Sequence, residues 1–147
     1  MSYIAQGSGV ISLDNSGGTL TDISAGCERF GLSADINIGE FFTLGSDWGK
    51  SLSGGKKATV DLTVIGETGT SHAYDLLADW LFNTAHKTAR TLRIDQPDSS
   101  PGSVRYSGEF RLRSLGDAHT ANAGSGDPVR TTAQLTSDGT ITRTVIT

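Results

Sequence analysis

The chain has 147 residues, enough for one domain that buries roughly 70% of its unfolded surface. A hydrophobic content of 35%, with nineteen glycines and three prolines, fits an all-β protein rich in turns rather than a helical globule. The net charge of −4 argues against affinity for nucleic-acid phosphates, which usually shows as a basic patch or stripe.

The charge is uneven along the chain: residues 1–85 hold ten acids and four bases, and residues 86–147 hold six acids and eight bases. Such asymmetry lets an acidic surface on one copy meet a complementary surface on another. Met1-Ser2-Tyr3-Ile4 lacks the basic-then-apolar pattern of a secretory leader, and no apolar run nears the roughly 20 residues of a membrane span, so no membrane anchor is expected. Cys27 has no cysteine to pair with and reads as a reduced thiol in a protein made in a cytosol.

Residues 1–9 read as an extended arm, small and polar apart from Tyr3 and Ile4. Val10, Ile11 and Leu13 begin a strand, Asn15-Ser16-Gly17-Gly18 has turn chemistry, and Leu20 and Ile23 resume after it. The clearest alternation follows, with Phe30, Leu32, Ala34, Ile36 and Ile38 at every second position, predicting a strand with one wet face. Val60, Leu62 and Val64 repeat the pattern, predicting an antiparallel neighbour. Between the two strands, residues 39–58 read as a long Gly-rich loop with its own apolar groups: Phe41, Phe42, Leu44, Trp48 and Leu52. Ordering about twenty free residues costs on the order of 1–2 kcal/mol each. Burying five apolar side chains returns only about 1.5–3 kcal/mol each. The loop is therefore expected to be mobile in the monomer and ordered by a partner.

A single helix is predicted over about residues 72–83, capped by Thr70 or Ser71. Tyr74, Leu77, Ala78, Leu81 and Phe82 form its buried stripe, widened by Ala73, Leu76 and Trp80. Leu92 and Ile94 mark a short strand. Gln96 to Gly102 is a loop with two prolines. Val104, Tyr106, Phe110 and Leu112 line one face of a longer strand, and Gly116 to Gly126 is a second mobile loop. Val129 to Leu135, a Ser137-Asp138-Gly139 turn, and Ile141 to Val145 read as a closing hairpin. The whole is expected to be mainly β, a single-domain sandwich or barrel over residues 1–147 with one flanking helix.

Enzymatic motifs fail on spacing. Gly54-Gly55-Lys56-Lys57 lacks the glycine spacing, the hydroxyl residue and the following helix of a phosphate loop. His72, His86 and His119 form no metal-ligand pattern, and His72 with Asp75 reads as a pair of surface neighbours. No nucleophile elbow occurs. No enzyme, cofactor, metal or catalytic residue is expected; a structural or binding protein is.

Taken in order, several segments resemble the tail tube (major tail) proteins of long-tailed bacteriophages. They are Thr21-Asp22-Ile23-Ser24 before the alternating strand, Phe42 to Trp48 (FTLGSDW), the Ala58-Thr59-Val60-Asp61-Leu62 strand and the Tyr74 to Phe82 helix. Tyr106-Ser107-Gly108-Glu109-Phe110, Gly126-Asp127-Pro128-Val129 and the Asp-Gly turn at 138–139 complete the match, which covers about residues 20 to 145. Ser53-Gly54-Gly55 stands where the family's loop often has Pro-Gly-Leu. The resemblance implies a virion protein, assembled in a host cytoplasm, whose hexameric rings stack into a tube that conducts DNA. It implies contacts with an initiator or tip complex, a terminator, and a tape-measure protein and genomic DNA in the lumen, without specific nucleic-acid binding. Glu40, Phe41, Phe42, Leu44, Trp48, Lys50 and Leu52 are the candidate subunit interface, and Asp35 and Asp61 the candidate lumen-facing acids. The alternatives are a tube protein of a contractile injection or secretion machine, and a ligand- or carbohydrate-binding sandwich with Trp48 and Phe42 as an aromatic platform.

Overall fold

The computed structural model describes residues 7–66, 72–83, 87–116 and 123–147. Residues 1–6 of the expected arm, the caps Thr70 and Ser71, His86, His119 and most of the 116–126 segment lie outside the described residues. The elements in order are β1 (Val10–Asp14), β2 (Leu20–Asp22), a 3-10 turn (Ser24–Gly26), β3 (Cys27–Phe41) and β4 (Lys50–Ile65). Then follow α1 (Ala73–Phe82), β5 (Arg90–Gln96), β6 (Val104–Gly116), β7 (Arg130–Ser137) and β8 (Thr142–Val145). The mainly-β class with one flanking helix is what the sequence predicts.

One antiparallel sheet of eight strands runs β2-β1-β5-β6-β7-β4-β3, with β8 also on β6. It does not close into a barrel, because β2 and β3 end the order unpaired with each other. It does curl. The Phe30 ring of β3 lies so close to Gly9 that a Cβ there would sit 2.6 Å from it and force the ring to shift, so glycine suits the close approach at the base of β1. The open seam is a groove of about 1030 Å³ lined by Phe30, Leu32, Ala34, Ile94 and Tyr106 among others.

The turn after β1 forms as its residues dictate: the Asn15 side-chain oxygen accepts from the amides of Gly17 and Thr19 at 2.9 and 3.0 Å. The predicted closing hairpin does not form. β7 pairs with β6 over Phe110–Gly116 and β8 pairs with the same strand over Val104–Ser107. The Asp138 amide donates to Glu109 O at 2.8 Å between them. Ser137-Asp138-Gly139 is thus a kink that carries the chain onward along β6, and the turn residues serve an offset instead of a reversal.

The core draws Ile11 and Leu13 from β1, Val60, Leu62 and Val64 from β4, Leu92 and Ile94 from β5, Phe110 from β6, and Ala133 and Leu135 from β7. Helix α1 adds Ala73, Leu76, Leu77 and Trp80, the i, i+3, i+4, i+7 stripe. The stripe is rotated from the expected one: Tyr74, Ala78 and Leu81 are half-buried and Phe82 is 69% exposed. His72 occupies the N-cap in an extended conformation without a side-chain cap bond.

Trp80 fixes the helix to the sheet. Its indole N–H donates to Thr88 O at 2.9 Å, and the buried Arg90 guanidinium lies 5.0 Å above its ring. Arg90 also donates to Leu76 O at 3.3 Å and stands 3.8 Å from Asp79. A second buried charge, Asp95, locks β5 to β6: Arg105 donates to it from Nε at 2.7 Å and Nη2 at 3.0 Å, and Ser99 Oγ at 2.7 Å.

Burial pushes the Asp95 carboxyl up, but the bonds from Arg105 and Ser99 and the charges of Arg105 and Arg93 outweigh it and hold the carboxyl below its ordinary range. The fold therefore favours the carboxylate. This contribution is present in full above the unfolded value of about 3.9 and is lost as pH falls through the lower folded value. Urea unfolding between pH 7 and pH 2 is expected to show falling stability below about pH 4. An Asp95→Asn variant should be about 3 kcal/mol less stable at pH 7 and lose less on acidification. Trp80→Ala is expected to cost about 3–5 kcal/mol by the same measurement.

Candidate subunit-interface site

β3 and β4 pair with each other far beyond the rest of the sheet. β7 covers β4 only from Thr59 to Ile65, whereas β3 and β4 stay in register out to Phe41 opposite Lys50. The expected loop at 39–58 is therefore mostly strand, and only residues 42–49 connect the two. Pairing supplies the backbone hydrogen bonds that an irregular loop would lack, so the entropy argument for disorder applies to the tip alone. From Ala34 opposite Ala58, the last buried pair member, the ribbon projects about 23 Å to Phe41. That exceeds the ~15 Å radius of gyration of a domain this size.

This arm is apolar and bare. Ile36 is 50% exposed, Phe42 75%, Leu52 67%, Trp48 83% and Leu44 110%. With Ile38 and Phe41, seven of the nine exposed large hydrophobic residues among those described lie here. At ~150–250 Å² for a fully exposed large side chain they present on the order of 900 Å². The largest apolar patch of an ordinary monomer is about 300–600 Å², and one side of a specific interface is about 800 Å². Summed over its two faces and its tip, the arm's exposed apolar area is larger than that ordinary patch.

Its local geometry follows from three sequence features. Gly54 and Gly55 form a bulge opposite Asn37, where the register steps from Ile36–Lys56 to Ile38–Ser53. A Cβ on Gly54 would lie 3.1 Å from Asn37 O, which explains a glycine in mid-strand. At the tip, Ser46 N donates to Thr43 O at 3.3 Å and Trp48 N to Ser46 Oγ at 3.2 Å. The Phe42 ring lies against Gly49, where a Cβ would come within 3.0 Å.

All seven predicted interface residues fall on this one arm. Glu40 stands opposite Ser51 on one face, and Phe41 opposite Lys50 on the other, with Leu52 beside them opposite Gly39. Phe42, Leu44 and Trp48 form the tip. Ile36 and Ile38 belong to the same arm, on the face opposite Phe41 and Leu52, but were expected only as strand interior. The signal was present: their alternation runs on after the partner strand's apolar residues stop at Ala58.

Asp35 and Asp61 share the polar face of the same two strands, both exposed. Each has a base nearby in register: Lys57 lies directly opposite Asp35, and Arg29, opposite Thr63, is diagonal to Asp61. Thr59, Thr63, Thr132, Gln134 and Thr136 extend this face across β4 and β7. It is hydroxyl- and amide-rich and close to charge balance.

Cys27 opens β3 half-buried, its thiol donating to Arg29 O at 3.3 Å. Burial pushes the thiol up, with the Arg29 backbone contact pulling weakly against it, which is the setting of an inert thiol. Among the described residues no group of three His, Cys, Asp or Glu could hold a metal ion, and no helix is long and apolar enough to cross a membrane.

No family model and no curated protein matches the sequence. Solved structures do match the fold. A chain in the tail of an empty gene transfer agent particle, refined with C6 symmetry, shares 18% identity over 92% of this chain and 95% of that one, with a TM-score of 0.70. A chain of the SPP1 tail tube shares 13% identity over 97% and 80%, with a TM-score of 0.71. A chain of the anti-feeding prophage baseplate shares 13% over 99% of both, with a TM-score of 0.74. The chain has the fold of tail components. The resemblance read from scattered sequence segments and the likeness read from coordinates point to the same set of proteins.

The arm's residues make little contact with the body. Trp48→Ala and Leu52→Ser are each expected to change unfolding free energy by no more than about 0.5 kcal/mol, measured by urea titration of the unassembled chain.

Proposed function

We propose that the chain is the repeating subunit of a tail tube, assembling as hexameric rings that stack into a conduit for DNA. The observation that carries this reading is the arm: roughly 900 Å² of apolar surface, held clear of the body by strand pairing, suits burial in other copies. A solved structure of the same fold stands in a tail of C6 symmetry. The unpaired edge of β3 supports lateral joining, since a long free edge is a template for another chain's strand. A head-to-tail contact that closes makes a ring, and stacking adds length.

The polar face of β3, β4 and β7 suits a lumen wall. Its acids, Asp35 and Asp61, are matched by neighbouring bases, so it offers no basic stripe to retain phosphate. In this reading the protein is structural and not catalytic. An initiator begins the tube, a terminator ends it, and a tape-measure protein and then DNA occupy the lumen without sequence-specific contacts. The fold is shared with a baseplate chain of the anti-feeding prophage and a sheath-tube complex of an extracellular contractile injection system. The same subunit chemistry would serve a contractile device.

Electron microscopy of the purified full chain, alone and with an initiator complex, tests the reading. Rings or tubes with a central hole are expected. Persistent monomers at high concentration in both conditions would count against it. Trp48→Ala is expected to abolish assembly while leaving the monomer folded; a variant that still assembles but loses a carbohydrate ligand would favour the aromatic-platform alternative instead.

A further inference from the structure

The apolar side of the arm changes over partway along its length. Nearer the body, Ala34 opposite Ala58, then Ile36 and Ile38, continue the face that lines the core. Beyond Ile38 that face carries Glu40 opposite Ser51, and the reverse face carries Leu52 and Phe41. On β3 the step from Ile38 to Phe41 is three residues instead of two, which moves the apolar side chain across the pleat. On β4 the extra residue of the Gly54–Gly55 bulge does the same, so even positions that face the core from Ala58 to Val64 face away from it at Leu52.

Strand twist does not restore a single side. Neighbouring strands rotate by about 20–25°, more in a two-stranded ribbon. The two patches are centred too few residues apart for such a twist to build a half-turn. A surface lying along one side of the arm covers one patch and leaves the other in water.

We infer that each arm is clamped between two different copies of the chain, one on the Ile36–Ile38 face and one on the Phe41–Leu52 face. The inference rests on the reading of the chain as a self-assembling subunit. Charge supports another copy as the occupant of both faces. A lysine stands opposite an apolar residue in each patch, Lys56 by Ile36 and Lys50 by Phe41, and the chain they would meet is acidic, with sixteen acids against twelve bases. The consequence is coupling. An isolated two-stranded ribbon is marginally stable in water, so the copy that docks first holds the arm in shape for the second.

Photo-crosslinking in the assembled particle tests this. Carrier chains with p-benzoylphenylalanine in place of Ile38, of Leu52, or of both are co-assembled with a large excess of unlabelled chain, irradiated, denatured and weighed. Each single label is expected to give a two-chain product, and the double label a three-chain product. A double label that yields nothing beyond two chains, or a single label that yields no product, overturns the clamp while the tube reading stands. Failure of the unlabelled chain to assemble, seen before any label is introduced, overturns the subunit reading and the clamp with it. Labels at Ile36 and Phe41 repeat the test where bulk at 38 or 52 blocks co-assembly.

Discussion

Two strands that pair with each other for longer than the sheet can cover them set the terms for this molecule. Backbone hydrogen bonds between β3 and β4 continue after the core has ended at Ala58, and they carry apolar side chains into water. The pairing satisfies the backbone, but a two-stranded ribbon with bare apolar groups has little else to hold it. In the single chain the arm's large apolar side chains stand in water, and the bulge at Gly54–Gly55 turns them to opposite sides. In the proposed assembly, what the arm lacks comes from other copies of the chain.

The rest of the fold makes that demand specific by being rigid. The helix is anchored through Trp80 and Arg90, and the β5–β6 pair through the buried Asp95–Arg105 contact. The long strand β6 takes β5 on one edge and both β7 and β8 on the other, so the sheet bends around one core instead of splitting into two. A firm body holding a projecting ribbon fixes where the ribbon's contacts fall. That is the property a repeating assembly needs in each subunit, because small errors in angle accumulate from copy to copy.

Much of this was legible in the sequence, for identifiable reasons. Strict alternation over Phe30 to Ile38 and Val60 to Val64 gave both central strands and their antiparallel pairing, since period-two patterns leave few other solutions. The helix was placed within one residue at each end, although its stripe was rotated: Phe82 faces water, and Ala73, Leu76, Leu77 and Trp80 face the core. Glycine misled twice. Its abundance between Gly39 and Gly55 reads as a loop, but Gly54 and Gly55 make a bulge inside a strand, and strand pairing is a tertiary fact that local composition does not carry. Ser137-Asp138-Gly139 has the chemistry of a reversal, yet which edge a strand joins is decided by β6 and not by the turn. The interface candidates fall on one arm because they span its two strand ends and its tip, and apolar groups set among glycines are unusual wherever they fall. Ile36 and Ile38 escaped notice because alternation alone does not say where a core stops.

The two tryptophans give a direct measurement of the central claim that other copies cover the arm. Trp80 is fully buried and Trp48 is 83% exposed, so in a Trp80→Phe background the fluorescence reports on the tip alone. On passing from monomer to assembled particle, Trp48 emission is predicted to shift to the blue, and its quenching by acrylamide to fall to the level of a buried indole. Trp48 emission that stays red and fully quenchable in intact particles would contradict the account.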